Sequence, residues 1–258
     1  MSAPDVTAVE TVIQELQAVV DRAIDEGSRI GYFASLYTRI TGAVRRAILA
    51  GEFNDPEAVV RLDVAFARRY LTAIEQLRSG DARISASWAE VFRLVARANL
   101  TIVQQLTLAM NAHINFDLGL ATFETFAAQD MARARADYLK VNDVLATVVA
   151  EVEDEIGQLS PVLRIADRIS GSLVAKVIDF GLIKSRGFAW EFAQLLAVVA
   201  PAARPALIDQ KAREVALICR ALRQKPMRNI ALAIVAAFEV KDVRRVIRTL
   251  DHGLAPGA

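Results

Sequence analysis

From Ala98 to Phe116 the chain carries no formal charge. A helix over that stretch would be roughly 28 Å long, enough to cross a bilayer. Yet the stretch contains Asn99, Gln104, Gln105, Asn111, His113 and Asn115. That many strongly polar side chains argue for a protein core and against lipid. Polar groups removed from water must find hydrogen-bond partners. A buried helix carrying so many of them is building a network, a binding site, or both. This feature points to one polar-lined core helix near 98–118.

Successive residues of an α-helix are about 100° apart. With Gln105 at zero, Ala109 falls at about 40°, His113 at about 80° and Asp117 at about 120°. Asn111 and Asn115 fall on the opposite flank, at about 240° and 280°. Two polar stripes therefore run down one helix. His113 and Asp117 are four residues apart and can touch. A carboxylate beside an imidazole fixes its tautomer and raises its basicity. That serves a general base or a metal ligand, and it equally serves a satisfied core histidine that ties helices together. The spacing is not a specific metal motif, because there is one histidine and no H-E-x-x-H pattern.

The rest of the chain reads at helical period. Val9, Val12, Leu16, Val19 and Val20 form an apolar stripe, closed by Gly27. Asn54-Asp55-Pro56-Glu57 is a helix start. Ser87-Trp88-Ala89-Glu90 matches a capping box. Helices are expected near 85–118, 130–157, 161–183, 186–200, 203–224, 227–238 and 240–252. Breaks fall at Ser160-Pro161, Pro201, Pro205 and Lys225-Pro226. No alternating strand run and no internal repeat is present. One all-α domain of about 9–11 helices over 1–258 is expected, with Ser160-Pro161 as the best point of any subdivision.

Several function classes drop out. A net charge of +1 gives no global pull toward nucleic acid. Lys241, Arg244, Arg245 and Arg248 form a basic stripe that reads as a solvated face. There is no phosphate loop, no nucleophile elbow and no zinc pattern. The single cysteine, Cys219, cannot form an internal disulfide and lies in an apolar run, so it reads as a small buried hydrophobe. With no secretory signal at the first residues, a cytoplasmic location is expected.

Other candidate residues come from two further clusters. Asp63, in Leu62-Asp63-Val64-Ala65-Phe66, either pairs with Arg68 or Arg69 or points inward with Tyr70. Tyr32 and Tyr37 on the preceding helix carry hydroxyls able to bond a ligand, while Phe33 can only pack. Asp137, in Asp137-Tyr138-Leu139-Lys140, either faces a cavity or caps a neighbour.

Gly31-Tyr32-Phe33-x-x-x-Tyr37-x-x-x-Thr41, Gly51-x-Phe53-x-Asp55-Pro56, Leu62-Asp63-Val64-x-Phe66-Ala67 and Met110-Asn111-Ala112-His113-Ile114-Asn115-x-Asp117-Leu118 together carry a resemblance. Over about residues 28–145 the chain resembles an uncharacterised bacterial helical family, a domain of unknown function. Where the family pattern has glycine and proline, this chain has Ala109 and Gly119, changes expected to reshape a cavity beside His113. The resemblance implies a helical fold and supports the polar helix as the site. It implies no activity.

The expected function is acid–base chemistry on a small, largely apolar molecule: hydrolysis, elimination or cyclisation, in a setting such as secondary metabolism. His113, Asp117 and Asp63 are the candidate catalytic residues. Asn111, Asn115, Tyr37, Gln105 and Asp137 are the candidate substrate contacts. The cofactor is open between none and one divalent metal held by His113 and Asp117. Neither nucleic acid nor a membrane span is expected, and the reading leaves room for a homodimer. The alternative is a non-catalytic helical module that binds a ligand or partner and whose polar network is structural.

Overall fold

Ten α-helices account for the architecture of a computed structural model that describes residues 4–97, 100–126, 130–162, 164, 173–227 and 235–251. No strand occurs among the described residues. α1 (Thr7–Glu26) buries Val9, Val12, Leu16, Val19 and Val20 and ends at Gly27, whose φ of 62° is left-handed and favours glycine. α2 (Ile30–Leu49) is buried over most of its circumference. α3 (Pro56–Ser79) starts as the sequence predicts. Asp55 accepts from the Ala58 N–H at 2.9 Å, and Pro56 occupies the first turn.

The long helix expected over 85–118 is two. α4 (Ala86–Val95) is capped by Ser85, which accepts from the Trp88 N–H. The chain then breaks, and α5 (Ile102–Ala112) starts at Thr101. There the Gln104 N–H donates to Thr101 Oγ1 at 3.2 Å, and the Thr101 N–H donates to Gln104 Oε1 at 3.0 Å. The capping box is thus Thr101–Gln104, not Ser87–Glu90. Gln104 belongs to a helix start and not to a site. Glu90 instead pairs with Arg93 and Arg220.

After α5 the rod continues through one π-helical turn, His113–Asp117, in which the Leu118 N–H donates to the His113 carbonyl. It resumes as α6 (Leu118–Thr125). π turns are rare and recur at functional sites.

α7 (Met131–Leu159) ends where Ser160-Pro161 predicts. The boundary expected between 183 and 186 is absent, because α8 (Leu173–Val198) runs through it. The polar Lys184-Ser185-Arg186-Gly187 stretch mimics a loop but is held in place by inward contacts of Arg186. α9 (Arg204–Met227) and α10 (Val243–Asp251) follow a short 3₁₀ turn, Pro201–Ala203. Residues 165–172 and 228–234 of the expected 161–183 and 227–238 helices lie outside the described residues, as does His252.

One apolar cluster runs from Val12 of α1 to Leu250 of α10. The α5–π–α6 rod is packed on several sides. α2 and α9 lie against α5, α8 lies against α6, and the π turn touches α3, α8 and α9. Gly119 is needed at the α6–α8 crossing, where a Cβ would sit 2.8 Å from the Phe192 ring and 3.0 Å from the Ala189 carbonyl. No helix of the described residues is long and apolar enough to cross a membrane.

Candidate functional site

The π turn places His113 and Asp117 together on the face turned toward α2 and α3. Both are only 2 % exposed. His113 Nδ1 lies 2.9 Å from Asp117 Oδ2. The same oxygen accepts from the Trp88 indole N–H at 2.8 Å. A carboxylate oxygen already serving as acceptor calls for the Nδ1–H tautomer of His113, which leaves the lone pair on Nε2. That nitrogen is buried and has no hydrogen-bond partner.

Aromatic rings hold the imidazole. Phe66 of α3 stacks on it with centroids 3.7 Å apart and planes within 7°. Tyr37 meets it edge-on at 4.4 Å, and Phe33 does so at 5.6 Å. Burial pushes the His113 pKa down, and Arg69 adds to this. The Asp117 hydrogen bond and charge only partly oppose the shift. The ring is therefore neutral near pH 7, as a base requires.

A cavity of about 60 Å³ lies beside it. Its walls are mostly apolar, including Ile40, Val44, Met110, Ile114 and Leu145, and its polar wall residues are Tyr37, Asp63, His113 and Arg186. Asp63 points inward: Arg68 and Arg69, its possible mates in the sequence, pair with Glu15 and Glu124 instead. Asp63 Oδ2 is buried without a partner, as is Tyr37 Oη. Burial raises the Asp63 carboxyl to about 7. The Tyr37 phenol is pushed well above its ordinary value by burial, then by the charges of Asp63 and Asp117, while the Thr41 hydroxyl donates to the Tyr37 carbonyl and not to the phenol.

The remaining expected contacts lie elsewhere. Asn111 Nδ2 donates to the Val215 carbonyl at 3.3 Å and toward Cys219 Sγ at 3.2 Å. Asn115 Nδ2 donates to Asn111 Oδ1 at 2.9 Å and to Ser185 Oγ at 3.3 Å. These two side chains fasten the rod to α9 and α8 and do not line the His113 cavity. Gln105 Nε2 donates to the Leu100 carbonyl at 3.1 Å, bracing the break before α5. Gln105, Tyr32 and Ala109 border a separate space of about 10 Å³. Neither Ala109 nor Gly119 is among the residues lining the His113 cavity. Asp137 accepts from the Asn54 N–H and Nδ2 at 2.9 Å and from the Asp55 N–H at 2.7 Å, fixing the α2–α3 loop. It borders a neighbouring cleft of about 250 Å³ that shares Val59, Leu62 and Val141 with the His113 cavity.

Residues 9–225 match the model of a family of unknown function, DUF5995. The chain belongs to that family. The match reaches beyond the 28–145 stretch that carries the resemblance and takes in α8 and most of α9. No curated protein and no solved structure matches the chain. The DUF5995 region thus contains the whole π turn and every wall residue of the His113 cavity.

No group of three or more His, Cys, Asp or Glu side chains among the described residues is placed to hold a metal ion. His113 and Asp117 bond to each other through Nδ1 and Oδ2. Trp88, Phe66 and Arg186 have site positions that periodicity does not reveal. Trp88 looks like part of a helix start, Phe66 like ordinary core, and Arg186 like a residue at a helix boundary.

Proposed function

We propose that this DUF5995 protein is an enzyme that moves protons on a small, largely apolar molecule bound in the His113 cavity. One observation carries the reading. His113 Nε2, Tyr37 Oη and Asp63 Oδ2 are buried, lack protein partners, and belong to walls of one cavity. Cores normally satisfy such atoms. These three, with Arg186 Nε as a fourth, are left open around one space and are partners for the polar atoms of a ligand. His113 acts as the base through Nε2, with Asp117 and Trp88 positioning it. Asp63, held protonated into the neutral range, acts as the acid. Tyr37 donates to a substrate oxygen. Hydrolysis, elimination and cyclisation all need this pair of roles.

A second reading, a helical module with a structural polar network, is favoured by the size of the cavity. About 60 Å³ is roughly the share of two water molecules in the liquid. Phe66 also covers one face of the imidazole.

The test is a turnover screen of small apolar molecules bearing hydrolysable, eliminable or enolisable groups, run on the wild type and on His113→Asn. The enzyme reading expects turnover that falls roughly 10²–10⁴-fold in the variant, with little change in melting temperature. Full turnover in His113→Asn, or loss only through unfolding, sinks it and leaves the structural module.

A further inference from the structure

Two arginines of this protein are equally buried and differently treated. Arg39 and Arg186 are each 4 % exposed. Arg39 is neutralised by Glu151 at 3.0 Å and by Glu155, and it also donates to the Leu250 carbonyl. Arg186, on the wall of the His113 cavity, has no carboxylate among the described residues. A buried guanidinium without a counter-charge is costly, because the ion loses hydration and gains no Coulomb partner.

The surroundings make the imbalance larger. Arg135 lies beside the same Tyr138, its guanidinium 6.0 Å from that ring and 4.7 Å from the Trp190 ring. It too forms no ion pair among the described residues, and its Nη1 is buried without an acceptor. Arg186 Nε is likewise buried and unpartnered. Burial, and then the charge of Arg135, push the Arg186 pKa down against the pull of Tyr138. Arginine nevertheless stays protonated. Asp63, on the same cavity, forms no ion pair with it, and its carboxyl is held near 7.

The guanidinium is also held in place. Arg186 Nη2 donates to the Tyr138 carbonyl at 2.6 Å, the Tyr138 hydroxyl donates to the Arg186 carbonyl at 2.7 Å, and the guanidinium lies 4.5 Å from the Tyr138 ring centroid. A donor fixed by its own backbone neighbours loses little freedom when it receives an anion. Stacking on Tyr138 fixes the group without neutralising it.

We infer that Arg186 is the anchor for an anionic head, so that the ligand of the His113 cavity is a short-chain carboxylate. This deepens the site reading above and rests on it. The cavity of about 60 Å³ restricts the tail to one or two carbons, and the apolar walls suit a methyl or ethyl group. A singly charged carboxylate fits a guanidinium whose N–H donors are already part-used by the Tyr138 carbonyl.

The test titrates the full chain at pH 7 with acetate and with its neutral isostere acetamide, followed by calorimetry or ligand-observed NMR. Wild type should bind acetate at least tenfold more tightly than acetamide. Arg186→Gln should lose that preference, and Arg186→Lys should keep part of it. Equal affinities, no binding of either, a preference that survives in folded Arg186→Gln, or inorganic phosphate outcompeting acetate would each overturn the assignment. The wild-type pair decides even if Arg186→Gln fails to fold. His113→Asn separates the two readings. If it keeps both the acetate preference and full turnover, the acid–base role fails while the anchor stands. If the wild type turns over only neutral molecules and shows no carboxylate preference, the anchor fails and the acid–base role stands.

Discussion

Asn111 and His113 are two residues apart on one rod, are both buried, and meet different neighbours. Asn111 faces α9, which offers a backbone carbonyl and a thiol, and it shares its oxygen with Asn115. No polar atom of that pair is left buried and unpartnered. His113 faces α2 and α3, which offer aromatic rings, a phenol and a carboxyl that does not reach it. There three polar atoms stay open beside a cavity. Burying a polar side chain therefore does not by itself mark a site. What the opposing helix supplies decides whether the group becomes a fastening or an open valence.

If that contrast is sound, the two flanks should respond to truncation with opposite signs. The largest effect is expected at Asp63. Its carboxyl is raised from 3.8 to about 7 by burial, so the native state holds a proton that the unfolded chain releases. That contribution is full below about pH 4 and is lost as pH rises through about 7. The loss is on the order of 4 kcal/mol. Asp63→Asn removes it but buries an amide that also lacks partners, a cost of roughly 1–3 kcal/mol. At pH 8 the variant should be more stable than wild type by about 1–3 kcal/mol, and at pH 4 it should have no advantage. Urea titrations at both pH values check this. A variant equally destabilised at both would mean that Asp63 is a paired structural group. The same variant isolates His113, whose depressed pKa acts in the other direction. Its contribution is present above the unfolded value of about 6.5 and is lost as pH falls below it.

On the closed flank, Asn111→Ala should destabilise at every pH between 5 and 8 by about 1–3 kcal/mol. It removes two donor contacts to α9 and the acceptor of Asn115, and it leaves a void against Cys219. Binding at the His113 cavity, measured on the folded variant, should not change. A ligand affinity that falls along with stability would place the asparagines in the site after all.

The chain's sequence exposes the first half of this contrast and hides the second. An uncharged helix with polar side chains at two flanks is visible because charge and 3.6-residue periodicity are local. The His113–Asp117 contact is visible because it is four residues long. Which carboxylates pair with Arg68 and Arg69 is not visible: Glu15 and Glu124 are about 50 residues away, and their pairing leaves Asp63 without either cation. The π turn leaves no compositional mark, and neither does the Trp88 indole reaching Asp117 from 29 positions earlier. Arg186 is hidden differently. Its Lys-Ser-Arg-Gly setting looks like a loop, while tertiary contacts to Tyr138 keep it helical and buried. The fold class needs only local patterns, whereas the open valences depend on what distant helices withhold.

The smallest effect tests whether the closed flank acts as a unit. Asn115 is half-buried and has two acceptors, Asn111 Oδ1 at 2.9 Å and Ser185 Oγ at 3.3 Å. Losing it should cost about 0.5–1.5 kcal/mol, the ordinary net value of such bonds. Because Asn111→Ala already removes the shorter of the two bonds, the double variant should cost less than the sum of the singles. The deficit should be about 0.5–1 kcal/mol, above the few tenths expected of independent sites. Chemical denaturation of the two singles and the double measures it directly. Strict additivity would mean that Asn115 works through Ser185 and α8 alone, and the flank would then be two separate fastenings. A deficit confined to this pair, with none when Asn111→Ala is combined with Asp63→Asn, would show that the two faces of the rod are energetically distinct.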